Sequence, residues 1–253
     1  MKVLRLGNSN DRALDLPEHL RSWRIAEGVL AEATGEPVET VIREIWPTSD
    51  LPDLIDGWIR RYEPDLVILK QNSYWTSAES VPLRLERLFG RAGKALGKAG
   101  TDAVERPIGQ TRGFRLARRV LLKTIGGDSF FEPEQVLAVM EQCLRRIVAH
   151  EELVVVVQGS AGRAPGMTGR GGRERRLRRR TIMHEGMSRI CAGLRVTYFG
   201  TDKTMSEAET NRLRGADGTH RGVEGQRADG LTQGRHMAEA WLAAHGRTAA
   251  KPG

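Results

Sequence analysis

The chain is poor in cysteine, in aromatic side chains and in long apolar runs. Cys143 and Cys191 are its two cysteines, and neither has the spacing of a metal or redox site. A disulfide scaffold or zinc ribbon is therefore excluded, and both thiols are expected reduced in the core, as in the cytoplasm. No segment approaches the ~20 apolar residues of a membrane-spanning helix. The N-terminus runs straight into a strand-like segment, with neither the apolar stretch nor the small-residue cleavage site of a signal peptide. Three common catalytic or phosphate-binding motifs are missing too. There is no Gly-x-Ser-x-Gly elbow. Gly159-Ser160-Ala161-Gly162 lacks the Gly-Lys-Ser/Thr ending of a phosphate loop, and His184-Glu185 lacks the second histidine of a zinc helix.

What the chain has in excess is positive charge: 40 Lys and Arg against 32 Asp and Glu, a net +8. Much of it is local. Arg163, Arg170, Arg173, Arg175, Arg176, Arg178, Arg179 and Arg180 face Glu174 alone in that segment. Such a cluster reads as a solvated helix face with a loop leading into it, or as an attractor for an anionic substrate or acidic partner. No aromatic residue interleaves with it, which argues against nucleic acid.

Apolar patterning alternates strand and helix. Strands are predicted at 2–7, 38–46, 65–69, 153–157 and 194–199, with helices at 17–34, 50–62, 173–192 and a final one ending near Leu242. Helical material is expected from about 79 to 148, broken near Gly109 and at Gly126-Gly127. This alternation implies an α/β fold: a three-layer α/β/α sandwich on a five-stranded parallel sheet in flavodoxin-like order. One domain is expected over 1–245, with 246–253 as a frayed tail. Ligands of such sheets bind beyond the carboxyl ends of the strands, where Ser9, Asn72 and Ser160 are expected to gather.

A serine needs a base within hydrogen-bond reach, and the base needs an orienting acceptor. Ser9 follows the first strand, and Asp217-Gly218-Thr219-His220 precedes the last helix. His220 is the best-placed base and Asp217 its partner. The Ser9 amide and the Asn72 side chain are suited to stabilise an oxyanion. Tyr74 and Trp75 are candidates for a substrate pocket. Asn10 and Asp11 are substrate contacts or turn formers, and Ser160 lies on a rim at the same edge. Two look-alikes are set aside. Gly127-Asp128-Ser129 follows no strand and reads as the cap region of the next helix, while Asp229 and His236 fall within the final helix.

Gly7-Asn8-Ser9, Asn72 and Asp217-x-x-His220, in that order, resemble the SGNH (GDSL-type) hydrolase superfamily. The resemblance implies an α/β/α fold, ester hydrolysis through Ser9, Asp217 and His220, an oxyanion hole with Asn72, and no metal or organic cofactor. There are departures: Asn8 stands where the family has aspartate, and the third block reads Lys70-Gln71-Asn72-Ser73. No glycine follows the second strand until Gly57, which leaves a backbone N–H of Thr48 or Ser49 as third donor, since Pro47 has none. The expected ligand is a small-molecule ester. Lipid, acetylated sugar, thioester and peptide-like substrates all fit, and the sequence does not indicate an oligomeric state. The rival readings are a non-catalytic basic binding protein on the same fold and a nucleotide-binding module.

Overall fold

The architecture is taken from a computed structural model. It describes residues 1–8, 11, 13, 15–72, 74–77, 80–81, 83–90, 120, 124, 127–163, 172–215 and 220–246. Ser9, Asn10, Asp217, Arg170, Gly109, Gly126 and the tail beyond Gly246 lie outside the described residues. The chain, expected as one domain over 1–245, divides into two compact units. Unit 1 comprises Met1–Asn72, Leu137–Pro165 and His184–Gly253, and unit 2 comprises Ser73–Val136 and Gly166–Met183.

Unit 1 carries the sheet. Its strands are β1 (Lys2–Gly7), β2 (Glu39–Glu44), β3 (Leu66–Lys70), β4 (Val154–Arg163) and β5 (Thr197–Thr204). All neighbours pair in parallel, in the order β2-β1-β3-β4-β5. Every residue of β3 is buried, which is why it reads as one unbroken apolar run. Helices cover both faces. On one, α1 (Ser22–Thr34) and α7 (Val223–Ala244) pack along each other and over the strands. Val3, Leu66, Ile68, Val154 and Val156 form a core there with Ala26, Leu30, Met237 and Trp241. Each Val, Leu, Ile or Met side chain among them contributes roughly 1.5–3 kcal/mol when fully buried. The helices approach closely because α7 presents glycine: a Cβ at Gly234 would stand 2.5 Å from the Val29 Cβ.

Opposite lie α2 (Leu51–Tyr62), which packs on β1, and α4 (Pro133–Ile147). Arg146 of α4 donates to Asp53 and Asp56 of α2 at 2.5 and 2.7 Å. Cys143 and Cys191 are unpaired and buried, and burial pushes both thiols up to about 12.

Several boundaries move. β4 was expected to close at Gln158-Gly159-Ser160, yet it runs on to Arg163 because pairing with β5 continues through two register shifts. Glycine reads as a loop in a sequence; here a Cβ at Gly159 would meet the Tyr198 hydroxyl at 2.2 Å. β5 starts at Thr197 rather than at residue 194, because α5 (Gly172–Leu194) runs through Leu194 and Arg195 turns the chain at φ 57°. The polar stretch before the last helix holds α6 (Glu207–Leu213), started by a capping box in which Ser206 and Glu209 bond each other's amides.

In unit 2, α3 (Tyr74–Ser77) is a single turn, and residues 83–90 are helical. Ser80 and Asp128 form an antiparallel bridge. The first turns of α5 also belong to this unit. The arginine cluster on α5 is more than a solvated face: Arg180 is buried and Arg176 half-buried. They continue the helix stripe that Met183, Met187 and Cys191 bury, since residues three to four apart share a face.

Candidate active site

The α1/α7 face of the sheet changes character toward its carboxyl edge. Strand alternation puts Val3 and Arg5, Ile68 and Lys70, and Val156 and Gln158 on that one face. Lys70 and Gln158 are register partners on neighbouring strands. The row that ends the apolar core is thus an arginine, a lysine and a glutamine, all buried. Their partners come from far along the chain. The Arg5 guanidinium donates to Asp11 Oδ1 at 2.7 Å, to Gln233 Oε1 of α7 at 2.7 Å and to Ser22 Oγ at 3.4 Å. Lys70 Nζ donates to the same Asp11 oxygen at 2.5 Å, and Gln233 Nε2 donates to Gln158 Oε1 at 2.8 Å. Gln226 accepts from the Ser22 amide at 2.8 Å.

Asp11 is the centre of this network, with 0% exposure. It was read as a turn former or a substrate contact, and a wholly buried carboxylate with two cations touches no substrate. Burial alone would raise its pKa. The charges of Arg5 and Lys70, with hydrogen bonds from Lys70 and from the Asn8 amide (2.9 Å), outweigh that and hold it well below the usual carboxylate range. Burial draws Lys70 below its ordinary value, with Asp11 opposing. The turn after β1 is built on these contacts: the Asp11 amide donates back to the Asn8 carbonyl at 2.9 Å. Gly7 is obligatory here, because a Cβ would fall 2.0 Å from Asp11 Oδ2. Ser9 lies inside the Asn8–Asp11 turn by sequence.

The topology brings other sequence-predicted residues to this edge. β1 and β3 are neighbours in register at Leu6 and Leu69, so the chain leaves both strands side by side. Asn72 is half-buried two residues past β3, and the Gln71 amide before it donates to the Gln158 carbonyl at 2.8 Å. His220 ends a loop between α6 and α7 that is closed by the bridge of Arg214 and Arg221 and by a 2.8 Å bond from the Gly215 amide to the His220 carbonyl. Arg221 in turn pairs with Asp229 at 3.3 Å. Ser160 is half-buried inside β4, not in a loop beyond it.

Thr48 is exposed, and its amide already donates to the Trp46 carbonyl at 2.8 Å. Tyr74 and Trp75 belong to unit 2. Tyr74 is exposed and stacks on Phe130, whereas Trp75 is 0% exposed and presents no surface to a ligand. Of the look-alikes, Asp128 bridges Ser80 and Ser129 is buried, four residues before α4 begins. Asp229 and His236 both lie in α7, and the His236 ring stacks on Phe199 at 4.3 Å.

Sequence reasoning missed Arg5, Lys70, Gln158 and Gln233. The one available signal was a cation within, or directly after, each of two apolar strands.

No protein-family model and no curated protein matches the chain. Solved structures do. The psychrotrophic esterase EstA from a Pseudoalteromonas species matches with a TM-score of 0.56 at 11% identity, over 96% of this chain and 98% of its own. TesA matches at 0.52 and 13% identity, over 92% and 95%. A member of the lipolytic G-D-S-L family from Veillonella parvula reaches 0.49 at 11%, over 98% and 100%. At these identities the likeness is one of fold alone: a five-stranded parallel sheet covered by helices on both faces, shared with EstA and TesA. Among the described residues no helix is long and apolar enough to cross a membrane.

Proposed function

We propose that the chain is a serine esterase that cleaves a carboxylic ester through an acyl-enzyme on Ser9. The observation that carries this reading is the strand order, in which β1 and β3 end side by side. The segments that hold Ser9 and Asn72 start from those neighbouring ends. His220 enters from the loop ahead of α7, the helix whose Gln233 bonds Arg5 of β1. Each step follows from the chemistry of these residue types. His220 takes the Ser9 hydroxyl proton as the oxygen attacks the ester carbonyl carbon, and Asp217 holds the imidazole and offsets its charge. The tetrahedral oxyanion receives hydrogen bonds from the Ser9 amide and the Asn72 side chain. Thr48 joins as a third donor by giving up its bond to the Trp46 carbonyl. The intermediate expels the alkoxide, which leaves with the proton from His220. Water, deprotonated by His220, then attacks the acyl carbon and frees the acid and Ser9. Asn10 and Ser160 are the substrate contacts of this reading.

The network around Asp11 supports it by rigidity. A nucleophile must be held within a fraction of an ångström of its productive position. Asn8 and Asp11, the described residues that flank Ser9 in the sequence, are bonded to each other, and Asp11 is held by the buried charges of Arg5 and Lys70. Fluorophosphonate labelling with mapping of the modified peptide tests the proposal. A single adduct on Ser9, lost in His220→Ala, is expected. Labelling of another residue, or none at all, rejects it.

A further inference from the structure

Unit 2 contains a cavity of its own. Arg87, Arg175, Arg176 and Arg179 line it, with the acids Asp128 and Glu132. Each acid faces an arginine, and Asp128 Oδ2 accepts no hydrogen bond among the described residues. Arg179 donates to both Glu132 oxygens, at 2.6 and 2.9 Å. Arg84 and Arg87 each stand 3.5 Å from one oxygen of Asp128. Among the described lining residues, the cations thus outnumber the anions by two. A guanidinium has five N–H donors, so an arginine engaged on one side still presents donors on another. Thr76 and Ser129 also line the cavity. Both are buried, at 1% and 6% exposure, and neither hydroxyl has a hydrogen-bond partner among the described residues. A buried hydroxyl without a partner is a net cost to the fold.

A cavity of positive sign, rich in donors and holding two unmatched hydroxyls beside the unmatched Asp128 Oδ2, suits a negative ligand with several acceptor oxygens, one of which carries a proton to donate to that carboxylate. We propose that it binds an oxoanion of the phosphate type, with Ser129, Thr76 and the arginines of α5 donating to its oxygens. Cations are disfavoured by the sign of the lining. The stacked pair Tyr74 and Phe130, with ring centroids 5.3 Å apart and both rings exposed, adjoins Thr76 and Ser129 in the chain. It offers an aromatic surface to whatever bears the anion. The source of the group is therefore either free phosphate or a phosphate ester with an apolar substituent.

Calorimetric titration of the full chain with inorganic phosphate, and separately with phenyl phosphate, tests this against sodium chloride of equal ionic strength. Saturable binding of phosphate, absent with chloride, is expected. Arg176→Gln should weaken it by about tenfold, Ser129→Ala by about fivefold, and Arg145→Gln, a surface control on α4, not at all. Tighter phenyl phosphate binding assigns the group to a larger ligand, and equal binding assigns it to the free anion; both support the site. Ser129→Ala removes no hydrogen bond, so its urea midpoint without phosphate should equal or exceed that of the parent chain. It therefore remains a folded test if Arg176→Gln does not fold. An equal response to chloride, or unchanged phosphate binding in Ser129→Ala, overturns the site. Neither result bears on ester hydrolysis, which fluorophosphonate labelling judges separately.

Discussion

In unit 1, the buried Arg5, Asp11 and Lys70 meet one another and are joined by Gln158, Ser22 and Gln233, within 3.4 Å at every link. In unit 2, Thr76 and Ser129 are buried just as deeply, with hydroxyls that meet nothing among the described residues. The contrast separates two uses of a buried polar group. A saturated network in a low-dielectric interior is stiff, and removing one member leaves charges uncompensated. An unsaturated pair costs stability and is completed by something from outside. The first arrangement suits chemistry that needs a fixed nucleophile. The second suits reversible capture.

The largest expected effect lies in the chemistry that the network is proposed to support. Ser9→Ala should lower turnover of a short-chain nitrophenyl ester by at least ~1,000-fold, with His220→Ala similar and Asp217→Ala less costly. Wild-type turnover in Ser9→Ala would detach the network from catalysis altogether. Next comes stability. Asp11→Ala strands Arg5 and Lys70 in the core and should cost about 3–5 kcal/mol in urea unfolding. A loss under 1 kcal/mol would mean that water reaches these charges and would erase the contrast.

Acid titration sharpens the same point. The Asp11 carboxyl has a depressed folded-state pKa, so its contribution is complete above the unfolded value near ~3.9. It is lost as pH falls below that toward the folded value, because the unfolded chain then binds the extra proton. Unfolding followed from pH 6 to pH 2 should show this acid loss, and Asp11→Asn should flatten it. The smallest effect is in unit 2. Thr76→Val deletes an unmatched hydroxyl at nearly constant shape and should leave stability unchanged or raise it by up to about 1 kcal/mol, as measured by thermal unfolding.

The sheet was legible in the sequence because parallel strands buried on both faces give unbroken apolar runs: Leu66 to Leu69 and Val154 to Val157 could hardly be anything else. What followed those runs was less legible. Gly159 looked like a stop, yet β4 continues because its pairing with β5 does, and the Tyr198 hydroxyl packed against residue 159 explains why a glycine stands there. α6 lay hidden in a polar stretch, although Ser206 and Glu209 carry the capping spacing openly.

The buried cluster was illegible for a different reason. Arg5 passes for one polar residue in an apolar strand, and its partners lie at positions 11, 22 and 233, a match that no local window contains. Trp75 was assigned to a pocket from its neighbourhood in sequence, whereas burial makes it a packing residue.

The bond from Arg5 to Gln233 spans 228 positions. During synthesis that glutamine is added 228 residues after the guanidinium. Until α7 emerges, the first strand cannot bury its charge without penalty, and the turn after it lacks one side of its support. A nascent or C-terminally shortened chain should therefore keep its sheet edge open and hydrated.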